Sequence, residues 1–122
     1  MSARILVVDD SGLARRRARS ILEAAGYEVL EAEDGMSALE HYFVSRPDVV
    51  VLDLVMKGMY GLDVLAKLRE MDQGAKVIVV SADVQTSSQR MVNDAGASGF
   101  LVKPLEADDI LPLIRTTLEG RA

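Results

Sequence analysis

Four short apolar runs, rich in β-branched residues, limit most strongly how this chain of 122 residues can fold. They are Ile5–Val8, Val49–Leu52, Val77–Val80 and Phe100–Val102. Apolar runs without polar alternation are typical of strands that helices cover on both faces, as in a parallel sheet. A fifth segment, Tyr27–Glu31, alternates in part and carries more charge, which is typical of an edge strand.

Helical patterns separate the strands. The first carries apolar residues at helical spacing, and Ser11 precedes it as a candidate N-cap. The predicted helices are Leu13–Ala25, Met36–Val44, Leu62–Met71, Gln85–Ala95 and Ala107–Leu118. Gly26, Gly74 and Gly96 follow three of them, which is typical of glycine C-caps. Strands that alternate with helices predict one doubly wound α/β domain over residues 1–122, a three-layer sandwich with five parallel strands and five helices.

Composition excludes several classes of function. The chain has no cysteine, so disulfides, Cys-ligated zinc, iron–sulfur clusters and Cys nucleophiles are ruled out. A single histidine excludes multi-His metal sites. The net charge of −5 argues against nucleic acid as a partner. Without a membrane-length apolar stretch or a signal-peptide pattern, we expect a cytoplasmic protein with no membrane partner.

Polar residues follow the ends of four predicted strands. Asp9 and Asp10 follow the first, Asp53 the third, Ser81 the fourth, and Lys103 with Pro104 the fifth. In an open parallel sheet ligands bind beyond the carboxyl ends of the strands, so these side chains are expected at one rim.

Three converging carboxylates repel one another and need a compensating positive charge. Lys103 supplies one, and a hard divalent cation would supply the rest. All-oxygen ligands favour Mg²⁺, with Mn²⁺ as a substitute. Asp53, alone at the end of its strand, is the best candidate for a nucleophile toward phosphorus. Lys103 and the Ser81 hydroxyl would neutralise phosphoryl oxygens.

At these residues the chain resembles the receiver domains of two-component response regulators. The segments that carry the resemblance are Ile5–Asp10, Ala32–Gly35, Val49–Asp53, Gly61–Leu65, Ser81–Ala82 and Ala95–Pro104. The stretch Leu13–Leu22 is also similar to single-domain chemotaxis regulators of the CheY kind. The resemblance implies a flavodoxin-like strand order of 2-1-3-4-5, an order for which CheY is a standard example.

The resemblance also implies site roles. Asp53 would accept a phosphoryl group from a sensor histidine kinase or a phosphotransfer protein. The side chains of Asp10 and Asp53 and the backbone carbonyl of Val55 would hold Mg²⁺, together with Asp9 either directly or through a water molecule. Lys103 would pair with the phosphoryl group and form a cis peptide with Pro104.

Further implied roles concern the switch. Ser81 would bind the phosphoryl group, and Phe100 would pack inward in response. The output protein would bind the face formed by helix four, strand five and helix five. Val55 and Asp83 match positions that tune the access of hydrolytic water.

The chain departs from the family pattern at some positions. Lys57 stands where the family usually has Pro, and Tyr60 where it often has Asp. Pro112 lies inside the last predicted helix, where it is expected to kink the helix or shift its start. The basic run of Arg15, Arg16, Arg17 and Arg19 fits a solvated helix face or a kinase-docking surface.

Three other interpretations stay open at this point. The first is an aspartyl-phosphate phosphatase, against which Val55 counts, because such enzymes usually place a second Asp there. The second is an interaction module that works without phosphorylation, and the third a receiver cut from a longer regulator. The favoured interpretation is a receiver domain that acts as a phosphorylated switch, and we expect the protein to be a monomer or a weak dimer. It would catalyse its own phosphorylation and dephosphorylation and act on no separate substrate.

Overall fold

The computed structural model describes residues 2–56, 58–82 and 86–120, with Met59 and residues 86–88 described in backbone only. In this part of the chain, five parallel strands form one sheet: β1 (Arg4–Val8), β2 (Glu28–Ala32), β3 (Val49–Asp53), β4 (Val77–Ser81) and β5 (Gly99–Val102). The helices are α1 (Gly12–Ala24), α2 (Gly35–Ser45), α3 (Gly61–Met71), α4 (Thr86–Asp94) and α5 (Ala107–Leu118). The strand order is β2-β1-β3-β4-β5, so the predicted order and the edge position of β2 are confirmed.

The sheet has an apolar layer on each face, because successive strand residues point to opposite sides. On one face Leu6, Val50 and Val79 pack with α2, α3 and Val92 of α4. On the other face, residues such as Ile5 pack with the buried side chains of α1 and α5. This double cover is the reason that the strands read as continuous apolar runs.

The helix ends agree with the sequence in most places. The Ser11 hydroxyl accepts a hydrogen bond from the Ala14 backbone N–H, which confirms the predicted N-cap. Gly26 and Gly96 adopt φ of 94° and 93°, the left-handed conformation that glycine permits.

Two other ends differ from the expectation. The glycine cap predicted at Gly74 is wrong. Helix α3 ends at Met71 with an extended Asp72, and Gly74 instead donates its N–H to the Asp72 carboxylate. Helix α2 ends at Ser45, and its C-cap residue Arg46 adopts the left-handed conformation with φ of 45°. Because Arg46 is not a glycine, the sequence did not indicate this cap.

Pro112 does not end the last helix. Helix α5 runs from Ala107 to Leu118 with the proline inside it, so its predicted start is unchanged. Proline has no N–H for the bond to the carbonyl four residues earlier, that of Asp108. The ring is exposed, so its bulk lies on the solvent side of the helix.

A short antiparallel hairpin after β3 was not predicted. Val55–Met56 pairs with Met59–Tyr60, and α3 begins at Gly61 directly afterwards. A Cβ at Gly61 would lie 2.6 Å from the Asp53 carbonyl oxygen. Glycine at this position therefore lets the start of α3 pack against the end of β3.

Three residues named in the sequence argument, Lys57, Asp83 and Gln85, lie outside the described residues. None of the described helices has the length and hydrophobicity that a membrane crossing requires.

Candidate functional site

Asp53 is the last residue of β3, the central strand of the sheet. All five residues of the strand are buried, and Asp53 itself is only 6% exposed. The Leu54 N–H donates to the Val80 carbonyl, which keeps β3 paired with β4 just beyond the acid. The sheet therefore places this carboxylate at the carboxyl rim, with the backbone on either side of it paired to neighbouring strands.

Asp9 and Asp10 follow β1, the neighbouring strand. Asp9 is buried and Asp10 is exposed. The Asp9 N–H donates to the Ala32 carbonyl, and its Oδ1 accepts from the Ser11 N–H at 2.9 Å. One carboxylate oxygen from each of Asp9, Asp10 and Asp53 lies within 4.8 Å of the others, so the predicted convergence is present.

Lys103 reaches this cluster from the end of β5. Its Nζ donates to Asp9 Oδ2 at 2.9 Å and to Asp53 Oδ2 at 3.3 Å. The bond between Lys103 and Pro104 is cis, as the resemblance implied. Burial works against the ammonium, but the hydrogen bond to Asp9 and the charges of both carboxylates outweigh burial and raise the pKa of Lys103.

Negative charge exceeds positive charge in the cluster. Burial and then the charge of Asp9 raise the pKa of Asp53, and the attraction of Lys103 does not cancel this effect. Three carboxylates and one ammonium carry a net charge of about −2, which a divalent cation would neutralise. The donors are all oxygen, the ligand type that hard cations prefer. The donor set therefore fits a metal ion of the magnesium class.

Ser81 and Phe100 lie on the strands next to the acids. Ser81 ends β4 and is buried, and it pairs in register with Val102 of β5. Phe100, two residues earlier on β5, is partly buried and packs against the core on the α4 side of the sheet. Ser81 thus lies at the carboxyl rim, and Phe100 lies on the neighbouring edge strand, paired in register with Val79.

Val55 lies at the mouth of the site. It belongs to the hairpin after β3, the residue is 66% exposed, and it pairs with Tyr60. Its aliphatic side chain holds no group that could serve as a general acid. The residue predicted to share its role, Asp83, is outside the described residues.

The basic run on α1 divides into residues with different surroundings. Arg16 is exposed, as a solvated face predicts. Arg17 donates to the Leu105 carbonyl and pairs with Glu106 at 3.3 Å, which joins α1 to the segment after Pro104.

Arg15 was missed as a residue of the site region. Its side chain is 17% exposed and donates to the backbone carbonyl of Asp9. The available sequence signal was its spacing of four residues from Arg19, which places both on the same side of α1.

Comparison with known proteins identifies the class. Residues 5–115 match the family model of the response regulator receiver domain. The chemotaxis protein CheY of Bacillus subtilis (strain 168) is 40% identical over 119 residues, which cover 97% of this chain and 99% of that protein. The response regulator MprA of Mycobacterium ulcerans is 39% identical over 118 residues, covering 97% of this chain and 51% of that protein.

Solved structures agree with this assignment. A CheY-like receiver domain protein from Methanospirillum hungatei superposes with a TM-score of 0.92 at 28% identity, covering 98% of this chain and 96% of that one. A LuxR-family response regulator from Aurantimonas gives 0.93 at 31% identity, covering 99% and 88%. The chain belongs to the response regulator receiver domain family of two-component signalling. Within that family it is CheY-like.

Proposed function

We propose that this receiver domain is a switch driven by transfer of a phosphoryl group to Asp53. The observation that supports it best is the meeting of Asp9, Asp10 and Asp53 with Lys103 at the end of the central strand. A receiver domain needs one reactive carboxylate held in place beside positive charge. Asp53 has both: the sheet fixes it, and Lys103 lies 3.3 Å from its Oδ2.

The transfer is a displacement at phosphorus. A carboxylate oxygen of Asp53 forms a bond to phosphorus, and the bond from phosphorus to the donor histidine nitrogen breaks. The electron pair stays on the imidazole, which takes up a proton. The protein contributes position and charge, because phosphoryl transfer needs little covalent help beyond these two.

Mg²⁺ would be held by the three carboxylates and the Val55 carbonyl, and it would supply neutralising charge for the phosphoryl oxygens. Mn²⁺ has the same preference for oxygen ligands and would substitute for it. Lys103 would pair with the incoming group as it now pairs with Asp9 and Asp53. The Ser81 hydroxyl would donate to another phosphoryl oxygen.

The signal would leave the site through Ser81 and Phe100. A new charge at Asp53 would attract the Ser81 hydroxyl toward the rim and open space along β5 for Phe100. Moving a two-state equilibrium from 1:99 to 99:1 needs about 5.5 kcal/mol, which a few charge-assisted hydrogen bonds can supply. The face formed by α4, β5 and α5 would then bind an output protein.

The same site would catalyse slow removal of the group. Water attacks phosphorus, the bond to Asp53 breaks, and phosphate leaves with the carboxylate restored. Exposed, aliphatic Val55 gives such a water no base or acid, so turnover of a separate phosphomonoester substrate is not expected.

The test is intact-mass spectrometry after incubation with a small phosphodonor. Wild type, Asp53→Asn and the exposed control Asp63→Asn would each be treated with Mg²⁺ or with a chelator. We expect one added phosphoryl group on wild type and Asp63→Asn with Mg²⁺, and none on Asp53→Asn. Equal labelling of Asp53→Asn would overturn the assignment. No labelling of wild type, even by a histidine kinase, would favour the phosphorylation-independent module.

A further inference from the structure

The guanidinium of Arg15 joins the β1–α1 connection to the edge strand β2. Its Nη1 donates to the backbone carbonyl oxygen of Asp9 at 2.6 Å, and its Nε donates to Glu31 Oε1 at 3.0 Å. Both ends of the contact are shielded, since the side chains of Arg15 and Glu31 are 17% and 24% exposed. The planar guanidinium fork presents two N–H donors at a fixed spacing that suits this pair of bonds, and the single ammonium of a lysine does not reproduce that spacing.

Glu31 is itself held firmly. Its second oxygen, Oε2, accepts from Arg19 Nη1 at 2.5 Å, and Arg19 also pairs with Glu23 at 3.2 Å. Burial works against the carboxylate, but the hydrogen bonds from Arg19 and Arg15 lower the pKa of Glu31. Glu31 is therefore a charged anchor on β2, and Arg15 transmits its position to the Asp9 carbonyl.

The Asp9 carbonyl belongs to the peptide that joins the two acids. Asp9 is fixed by three other bonds as well: its N–H to Ala32, its Oδ1 from Ser11 and its Oδ2 from Lys103. Asp10 is exposed and follows the end of β1. The orientation of the Asp9–Asp10 peptide sets the direction in which Asp10 leaves the strand.

We infer that Arg15 is a positioning residue for the cation site, because it fixes the peptide between Asp9 and Asp10 from a Glu31 anchor. The inference rests on the proposed function, in which these carboxylates hold a divalent cation. Charge alone has the opposite consequence: a guanidinium near the site repels a cation, so its removal would tighten binding. For removal of Arg15, positioning therefore predicts weaker binding of the cation, whereas simple charge predicts tighter binding.

The experiment is calorimetric titration of the unphosphorylated protein with Mg²⁺. Removing the partners that orient metal ligands typically weakens metal binding by about tenfold or more. We expect about that loss for Arg15→Ala and a smaller loss for Arg15→Lys, which keeps the charge but not the fork. Glu31→Gln, which weakens the anchor, should also lower affinity. Arg16→Ala, one position along the same helix, should bind as wild type does.

Thermal unfolding in chelator separates positioning from general stability. A purely structural role would lower the midpoint of Arg15→Ala and leave its Mg²⁺ affinity unchanged, which would overturn the inference. Equal or tighter binding by Arg15→Ala would overturn it too. If that variant does not fold, Arg15→Lys decides the matter, because it keeps the charge: weaker Mg²⁺ binding supports positioning, and unchanged binding overturns it. Absence of Mg²⁺ binding by wild type would instead refute the proposed function.

Discussion

Replacement of Asp53 by Asn is expected to stabilise the protein when no divalent cation is present. Carboxylate pairs within 4.8 Å repel by about 3 kcal/mol each at an effective dielectric constant near 20. The ammonium of Lys103, 3.3 Å from Asp53 Oδ2, attracts the carboxylate by about 5 kcal/mol at the same dielectric constant. With Asp10 counted in full these charges sum to a penalty of about 1 kcal/mol, and screening of the exposed Asp10 reduces that sum. Burial of the Asp53 carboxylate, the largest cause of its raised pKa, adds to the penalty, so the total is on the order of 1 kcal/mol.

The pH dependence follows from the same charges. Burial and the charge of Asp9 raise the pKa of Asp53, so its ionisation costs more in the folded chain than in the unfolded one. The penalty is absent below the ordinary Asp pKa of about 4 and grows as the pH rises through it. The stability advantage of Asp53→Asn should therefore be full near neutral pH and shrink toward pH 4.

Circular dichroism in chelator measures this effect, with thermal and urea unfolding of wild type, Asp53→Asn and Asp63→Asn. A gain of about 1 kcal/mol raises the midpoint by roughly 3–5 °C in a domain of this size. Asp63 is exposed in the first turn of α3, so its neutralisation should lower stability by about 0.3–1 kcal/mol, the opposite sign to the effect expected at Asp53. Added Mg²⁺ should stabilise wild type more than Asp53→Asn, which keeps only two of the three carboxylates. An Asp53→Asn protein no more stable than wild type at neutral pH would refute the argument.

Three further substitutions test other parts of the structure. Tyr42→Phe removes the 2.7 Å hydrogen bond to Asp72 and should cost about 1 kcal/mol in urea unfolding. Burial and then this hydrogen bond raise the pKa of Tyr42 to about 12. In an absorbance titration at alkaline pH, the tyrosine ionisation near that pH should therefore be absent from Tyr42→Phe. Gly61→Ala places a Cβ 2.6 Å from the Asp53 carbonyl oxygen and should cost about 2 kcal/mol or more, with slower phosphorylation. Phe100→Ala should accept the phosphoryl group at a near-normal rate and bind its output protein weakly. Loss of phosphorylation in that variant would contradict this division of roles.

The rim of acids could be predicted from sequence because each acid follows a buried apolar strand. Parallel strands bring their carboxyl ends to one edge, so Asp9 and Asp53 must meet there whatever the loops do. The end of α3 was less predictable. Gly74 comes shortly after a helical stretch, but the Asp72 side chain captures its N–H and the chain turns without a left-handed glycine.

Contacts between distant side chains were the least accessible. Arg15 reads as one member of a basic run until β2 is known to lie beside β1. That pairing puts Glu31 within reach of the guanidinium, 16 residues away along the chain. The hairpin after Asp53 was hidden for a similar reason, because its two-residue strands are too short for a periodic pattern.

The most direct test of the account is to locate the phosphoryl group on the chain. Borohydride reduction of the phosphorylated protein would convert the acyl phosphate of an aspartate to homoserine, and peptide mass spectrometry would identify its position. The account predicts homoserine at position 53, dependent on Mg²⁺, with Asp9 and Asp10 unchanged. Homoserine at position 9 or 10 in place of 53 would contradict it.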